Sequence, residues 1–320
     1  MKRIRCLLLG LMAAVAVCGA ASAQGDYPNQ MVRIIVPFSA GSITDNLARI
    51  LADRLGEIWK QQVIVENRAG LAGTTGAAKA PPDGYTLMLT SNGHTIAGVI
   101  NKNLQFDPVK DFAGVSQVAT VPMVMIVPPN LPAQTLREFL AMAKEKPGKM
   151  NFSSAGVAST SYLSAEIMRQ NANVNMLHVP YKGSPEAVMA VIRGEVQMYF
   201  APIPAAQELS KAGQVRVMAI NSNMRMPQLP DTPTVAEAGV PNFRYDTWFG
   251  VMAPAGTPKP ILNKVSRDIA KVLAMPDVRE KMEVQGNFPA PNTPEQFDEI
   301  IKSDTERYGK ILKEAGITPQ

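Results

Sequence analysis

Hydroxyl side chains and glycine amides at the starts of helices are the commonest chemistry this chain offers. Ser39, Ala40, Gly41 and Ser42 separate a β-branched run at 32–36 (VRIIV) from a run in which Leu47, Leu51, Leu55 and Ile58 recur at helical spacing. Pro37 ends the strand, since proline cannot donate to a sheet ladder. Ser42 and Asp45 fit the Ser/Thr-x-x-Asp/Glu pattern of a helix start, although aspartate reaches back less well than glutamate. Such a loop presents N–H groups and hydroxyls at the positive end of a helix, where an anion is held without a charged side chain. The plainer reading is an ordinary β-to-α turn. The same order of strand, small-residue turn, hydroxyls and helix recurs at 151–170, where Asn151-Phe152-Ser153-Ser154 leads through Ala155 and Gly156 to Ser159, Thr160 and Ser161.

Two further loops belong with these. The stretch 67–76 (NRAGLAGTTG) predicts a glycine-rich loop, carrying Thr74 and Thr75, that enters a short helix at 77–80. Its glycines run G-x-x-G-x-x-G rather than G-x-G-x-x-G and no G-K-S/T follows, so it is a weak phosphate cradle. Ser91, Asn92, Gly93, His94 and Thr95 follow a strand at 85–90. Several hydrogen bonds to a carboxylate, each worth ~1.5–3 kcal/mol net, reach roughly −8 kcal/mol after the cost of ordering, which is micromolar binding. Such a site captures an anion and releases it.

Motifs for other chemistry are missing. The chain has no G-x-S-x-G, H-E-x-x-H, C-x-x-C or P-loop pattern. Of its two histidines, His94 falls in a rim loop, and His178 reads as a structural residue in a strand at 174–179. No catalytic set, metal-ligand cluster or cofactor motif is expected. The competing enzymatic reading is a secreted hydrolase or isomerase using His94 with a rim hydroxyl, whose turnover would vanish in His94→Ala. Phe38 and Trp248 each read equally as a cleft wall or as core. Asp298, Glu299, Asp304 and Glu306 read as a solvated helix face.

The scaffold begins after a leader. Met1-Lys2-Arg3-Ile4-Arg5, an uncharged apolar run at 7–20 and Ala21-Ser22-Ala23 form a secretory signal peptide over 1–23, cut before Gln24. Val17 before Cys18 disfavours a lipoprotein site. Cleavage removes three of the 32 basic residues against 27 acidic ones, so the formal charge falls from +5 to +2. The basic balance therefore belongs to the leader and gives no case for nucleic-acid binding. Both cysteines leave with it, and the 297 of 320 residues that remain have no disulfide, thiolate metal site or cysteine nucleophile. No later apolar run reaches membrane-spanning length, so the expected location is a bacterial periplasm.

Strands are predicted at 62–66, 85–90, 115–119, 123–127, 151–154, 174–179, 196–200, 215–220 and 245–253. The strand at 32–36 and those at 62–66 and 85–90 end in polar loops that gather along one rim of an open parallel sheet. A Thr135–Glu138 capping box starts one helix, Ser184-Pro185 starts another that Gly194 ends, and amphipathic helices at 258–273 and 293–312 close the chain. The expected division is a first domain of 24–122 and 247–320 and a second of 123–246, with crossings near 121–127 and 242–248.

The segments VPFSAGSITDNLAR (36–49), VIVENRAGLAGTTGA (63–77), APPDGYTLML (80–89), HVPYKGS (178–184), LPDTPTVAEAGVP (229–241) and TWFGVMAPAGTPKPI (247–261) resemble the Bug proteins. These are the periplasmic substrate-binding components of tripartite tricarboxylate transporters, and the matches run through the mature chain in family order. The resemblance implies an α/β, two-lobed, type II periplasmic-binding-protein (Venus-flytrap) fold with two crossover strands. It implies a receptor rather than an enzyme, monomeric, without cofactor or metal, that holds a small mono- or dicarboxylate between its lobes. It would hand this to transporter membrane subunits, or alternatively present it to a sensor protein. First-lobe contacts would come from Phe38, Ser39, Ala40, Gly41 and Ser42, with Thr74, Thr75, Ser91 and Asn92 close by. Second-lobe contacts would come from Ala155, Gly156, Ser159, Thr160 and Ser161. The family usually has glycine where this chain has Ser42 and proline where it has Ala69. Many members have aspartate where it has Ala201, a position that would otherwise pair with a ligand ammonium, so a ligand without an amino group is expected.

Overall fold

A computed structural model describes residues 27–156, 159–243, 245 and 247–314. The leader lies outside the described residues, as do 157–158 in the second predicted anion loop and 244 and 246 in the return crossing. In chain order the first lobe supplies β1 (Val32–Val36), α1 (Ile43–Trp59), β2 (Val63–Asn67), α2 (Leu71–Ala78), β3 (Thr86–Ser91), a 3-10 turn (Asn92–Ile96), α3 (Ala97–Ile100) and β4 (Phe112–Thr120). The second supplies β5 (Met123–Val127), α4 (Leu136–Glu145), β6 (Asn151–Ser154), α5 (Thr160–Asn171), β7 (Leu177–Pro180), α6 (Ser184–Ile192), β8 (Tyr199–Pro202), α7 (Ile203–Lys211) and β9 (Arg216–Ile220). The chain then returns for β10 (Phe249–Pro254), α8 (Lys259–Ala274), α9 (Pro276–Val284), β11 (Phe288–Pro289) and α10 (Pro294–Glu314).

β1 is buried along most of its length because parallel strands are covered on both faces. β2 and β3 flank it in parallel, β10 and β4 add antiparallel strands, and the sheet order is β11-β4-β10-β3-β1-β2. The carboxyl ends of β1, β2 and β3 therefore share one rim, as predicted. α1 buries Leu47, Leu51, Leu55 and Trp59 in the core of this lobe, and Lys60 at φ 53° ends it. The second lobe has β8-β5-β9 antiparallel and β6-β7 parallel, the two pieces linked by a bridge from Phe152 to Met198. Between the sheets the chain crosses at Val121-Pro122 and returns ahead of β10. The two passages are tied side by side, with the Val121 amide donating to Thr247 Oγ1 at 3.1 Å.

Three local expectations change. The glycine-rich stretch is mostly helix: Gly70, at φ +81°, caps α2, and Gly73 sits so close to the Arg68 carbonyl that a Cβ there would collide with it. The late strand starts at Phe249 rather than Tyr245, because Tyr245 is drawn into contacts between the lobes. The predicted solvated face of α10 is partly buried. Asp304 accepts Trp248 Nε1 at 2.8 Å, and Asp298 accepts the Gly114 amide at 2.6 Å. Trp248 is thereby core, packed edge-on to Phe297.

Candidate functional site

The N-terminal ends of α1, α5 and α6 meet at one small void of about 20 Å³. Ser42, Ile43 and Thr44 bring α1 to it, Ser159, Thr160 and Ser161 bring α5, and Ser184 brings α6. Phe38, Ser91, Met123, Ala155 and Phe249 complete the wall. Three positive helix ends aimed at one point favour a negative group there. The Ser91 hydroxyl is an independent sign of a ligand: the residue is 1% exposed and its Oγ has no hydrogen-bond partner. A buried, unpaired donor costs about 1–3 kcal/mol until something accepts from it. Tyr199 is buried beside Ser161 and Ser184, and burial pushes its phenol up to about 12, so its O–H stays protonated.

The two predicted anion loops differ in what their donors do. In the first, Asp45 accepts the Gly41 amide at 2.9 Å, Arg49 Nε at 3.0 Å and Asn67 Nδ2 at 3.0 Å. Burial pushes this carboxyl up, but the bonds from Arg49, Gly41 and Asn67 outweigh burial and hold it below its ordinary value. The Ser42 amide goes to the Ser39 carbonyl, and Ser42 Oγ caps α1 by accepting the Asp45 amide at 3.2 Å. The expected capping pair forms, with its carboxylate arm one residue further back than the usual box. The amides of Ile43 and Thr44 have no partner among the described residues, and both residues line the void.

In the second loop the hydroxyls serve the loop itself. Ser159 Oγ donates to the Gly156 carbonyl at 2.6 Å and accepts the Tyr162 amide at 3.2 Å. With that one proton committed, the 2.9 Å contact between Ser159 and Ser161 makes Ser161 the donor. Ser161 Oγ also accepts the Ala155 amide at 3.0 Å, and Ser154 Oγ accepts that of Gly156 at 3.1 Å.

The lobes are closed on each other. The Ser39 amide donates to the Lys182 carbonyl at 3.2 Å, and Gly183 lies so near Ser39 that a Cβ would strike its Oγ. Deeper in, Thr160 Oγ1 donates to Asn92 Oδ1 at 2.8 Å, and the Tyr245 hydroxyl lies 3.0 Å from the same oxygen and 3.2 Å from the Thr160 carbonyl. Asn92 is fully buried and joins a first-lobe turn, a second-lobe helix and the return crossing.

Beyond Phe38 and Ala155, which line both spaces, lies a second cavity of about 200 Å³. Pro37, Leu71, Ala97 and Phe106 form much of its wall, with Thr74, Thr90 and His94 among them and Lys182 exposed at its edge. His94 Nε2 donates to the Pro108 carbonyl at 2.8 Å, because a carbonyl can only accept. Its ring is stacked on Phe106 and edge-on to Phe112, and burial pushes it down to about 4, so it is neutral.

Of the residues predicted for the site, Phe38, Ser42, Thr74, Ser91, Ala155, Gly156, Ser159, Thr160 and Ser161 line one cavity or both. The others lie elsewhere. Ser39 faces Lys182 and Gly183, while Ala40 and Gly41 are on the outside, with Gly41 near Pro185. Thr75 is on another face of α2, Asn92 is the inter-lobe tie, and Ala201 is core in β8 against Val124. Sequence reasoning missed Ile43, Thr44 and Ser184. The Ser184-Pro185 helix start was legible, but nothing local says that it faces the other two. Phe106 carries no sequence signal.

His178 lies 2.7 Å from Ser154 Oγ, in a pocket with Phe152 and Tyr162. Burial pushes it down to about 4. Neither member of this pair lines a cavity, and the nearby Glu166 carboxylate is held by Arg169 and Gln170. The pair therefore braces the second loop, since Ser154 also holds the Gly156 amide.

A two-lobed α/β fold closed over a hydroxyl-lined void is that of a periplasmic binding protein. The protein BugD, described as a periplasmic binding protein, has a solved structure similar at TM-score 0.85 and 32% identity, over 92% of this chain and 100% of that one. The structure of Rpa4515 of R. palustris with adipate is similar at TM-score 0.85 and 32% identity, over 92% of this chain and 100% of that one. Protein BugT of Bordetella pertussis (strain Tohama I) is 34% identical over 316 residues, 97% of this chain and 96% of that protein. Residues 47–317 match the model of the tripartite tricarboxylate transporter family receptor. The chain belongs to this family, the Bug-type solute-binding receptors.

Proposed function

We propose that this protein captures a small organic carboxylate between its lobes and delivers it to the membrane subunits of a tripartite tricarboxylate transporter. The observation that carries the reading is the meeting of three helix N-termini around the unpartnered Ser91 hydroxyl. The void has room for about one water as it stands, so a carboxylate enters when the lobes part. A ligand touching both lobes then shifts the balance toward the closed form, which is what a membrane partner senses. The adipate bound to the R. palustris relative supports the ligand class, and the family supports the transporter.

No acidic side chain lines either cavity among the described residues, so a ligand ammonium would be buried without a counter-charge. We therefore assign a carboxylate without an amino group. Binding occurs without turnover, because His94 and His178 both sit outside the small void, His94 with its N–H committed to Pro108 and His178 beside Ser154. The protein acts as an exported monomer, with 24–122 and 247–320 as one lobe and 123–246 as the other. Native mass spectrometry of freshly purified protein should show a co-purified small acid, and calorimetry with organic acids should show saturable binding, the acid being recovered unchanged. Affinity for glutamate or aspartate above that for all amino-free acids, or conversion of the acid to product, would overturn the reading.

A further inference from the structure

Beyond the wall shared by Phe38 and Ala155, the larger cavity differs in kind from the void beneath it. Its floor is apolar: Leu71 at the start of α2, Ala97 at the start of α3, and Phe106 packed on His94. His94 is neutral at physiological pH and has its proton turned away to Pro108, and the Tyr181 hydroxyl, also on the wall, donates to Glu195. Thr74 and Thr90 add hydroxyls but no charge. Lys182 is the one cation among the cavity's lining residues, and it is exposed at the edge, where its ammonium stays hydrated.

A ligand anchored by one carboxylate at the helix ends must place the rest of its body in this cavity. A second carboxylate there would exchange its water for one long helix start, that of α2, and two hydroxyls, against the three helix starts that hold the first. It would meet no cationic side chain inside the cavity. A hydrocarbon body gains from the same surroundings in proportion to the apolar area it removes from water. A water occupies about 30 Å³ in the liquid, so 200 Å³ accepts a body of roughly six to eight non-hydrogen atoms. Resting on the carboxylate-receptor reading above, we infer that this receptor selects monocarboxylates with a compact apolar tail, aromatic or aliphatic, over dicarboxylates of the same length.

The test is calorimetry on the mature protein with hexanoate against adipate and benzoate against succinate, with and without Leu71→Lys. Hexanoate should bind at least tenfold more tightly than adipate, and benzoate more tightly than succinate. Leu71 is only half-buried at a helix start, so a lysine there is tolerated, and it should reverse the first preference by supplying the missing counter-charge. A thermal melt confirms that the variant is folded. Adipate binding more tightly than hexanoate to the unaltered protein would overturn the inference and leave the carboxylate receptor standing, and loss of that advantage in Lys182→Gln would assign it to Lys182. Binding of none of the four while another organic acid binds would overturn this inference alone, and saturable binding of no organic acid would remove the receptor reading with it.

Discussion

The two anion loops follow the same sequence plan yet reach the void in opposite ways. The first, at 37–45, hands its outer amide to a buried carboxylate and leaves the amides of Ile43 and Thr44, two residues that line the void, without a partner among the described residues. The second, from Ser154 to Ser161, ties the Ala155 and Gly156 amides to its own hydroxyls and closes Ser159 and Ser161 on each other. One loop is thus braced from outside and offers backbone donors. The other is braced from within and offers shape and a helix end. Hydroxyl count is therefore a poor guide to which residues grip a ligand, because a hydroxyl has one proton and a loop often needs it.

The largest test of this contrast is at the seam between the lobes. Gly183 has φ −172°, ordinary extended backbone, so Gly183→Val should fold normally but drive a side chain into Ser39. Carboxylate affinity should fall more than a hundredfold by calorimetry, with the melting temperature of the free protein little changed.

Each lobe also holds one histidine, His94 buried and His178 half-buried, and both are pushed down to about 4 from an unfolded value near 6.5. Stability should therefore be full above pH 6.5 and fall as pH drops toward 4, because the unfolded chain takes up protons the folded one refuses. For His94 the loss approaches ~3 kcal/mol at pH 4. Urea melts at pH 7.5 and 4.5 should show a smaller difference in His94→Gln. An unchanged difference would place the pH sensitivity in the second lobe.

Smaller effects separate gripping from bracing. Ser91→Ala should weaken binding by ~1–3 kcal/mol without lowering the free protein's melting temperature, because it removes a donor that has no partner in the fold. Ser159→Ala should instead cost ~0.5–2 kcal/mol of stability through the lost cap on α5, with less change in affinity than Ser91→Ala. A larger affinity loss at Ser159 than at Ser91 would reverse the roles assigned to the two loops.

Strand and helix alternation, the first sheet's polar rim and the starts of α1 and α4 were legible because each rests on local periodicity or capping chemistry. Pro185 marked the start of α6, but its cap is Gly183 rather than the expected Ser184, with no side-chain capping bond. Both loops were legible as places, for the same reason. What could not be read was the fate of individual protons. Nothing near Asn92 in sequence shows that Thr160, 68 residues away, donates to it. Nothing near Gly41 shows that its amide belongs to Asp45, although the two are only four residues apart, since a capping pair predicts the acid's reach one residue short. The apolar cavity was hidden for a different reason. Leu71, Ala97 and Phe106 come from separate elements, and an apolar residue facing a ligand looks the same in sequence as one facing the core.

A grip made of peptide dipoles has no pKa of its own, and little net charge acts at a distance from it. Encounter with a small anion should therefore proceed at a rate nearly independent of ionic strength, without the acceleration that a cationic funnel lends and salt removes. Stopped-flow association measured from dilute buffer to high salt would read that flatness directly.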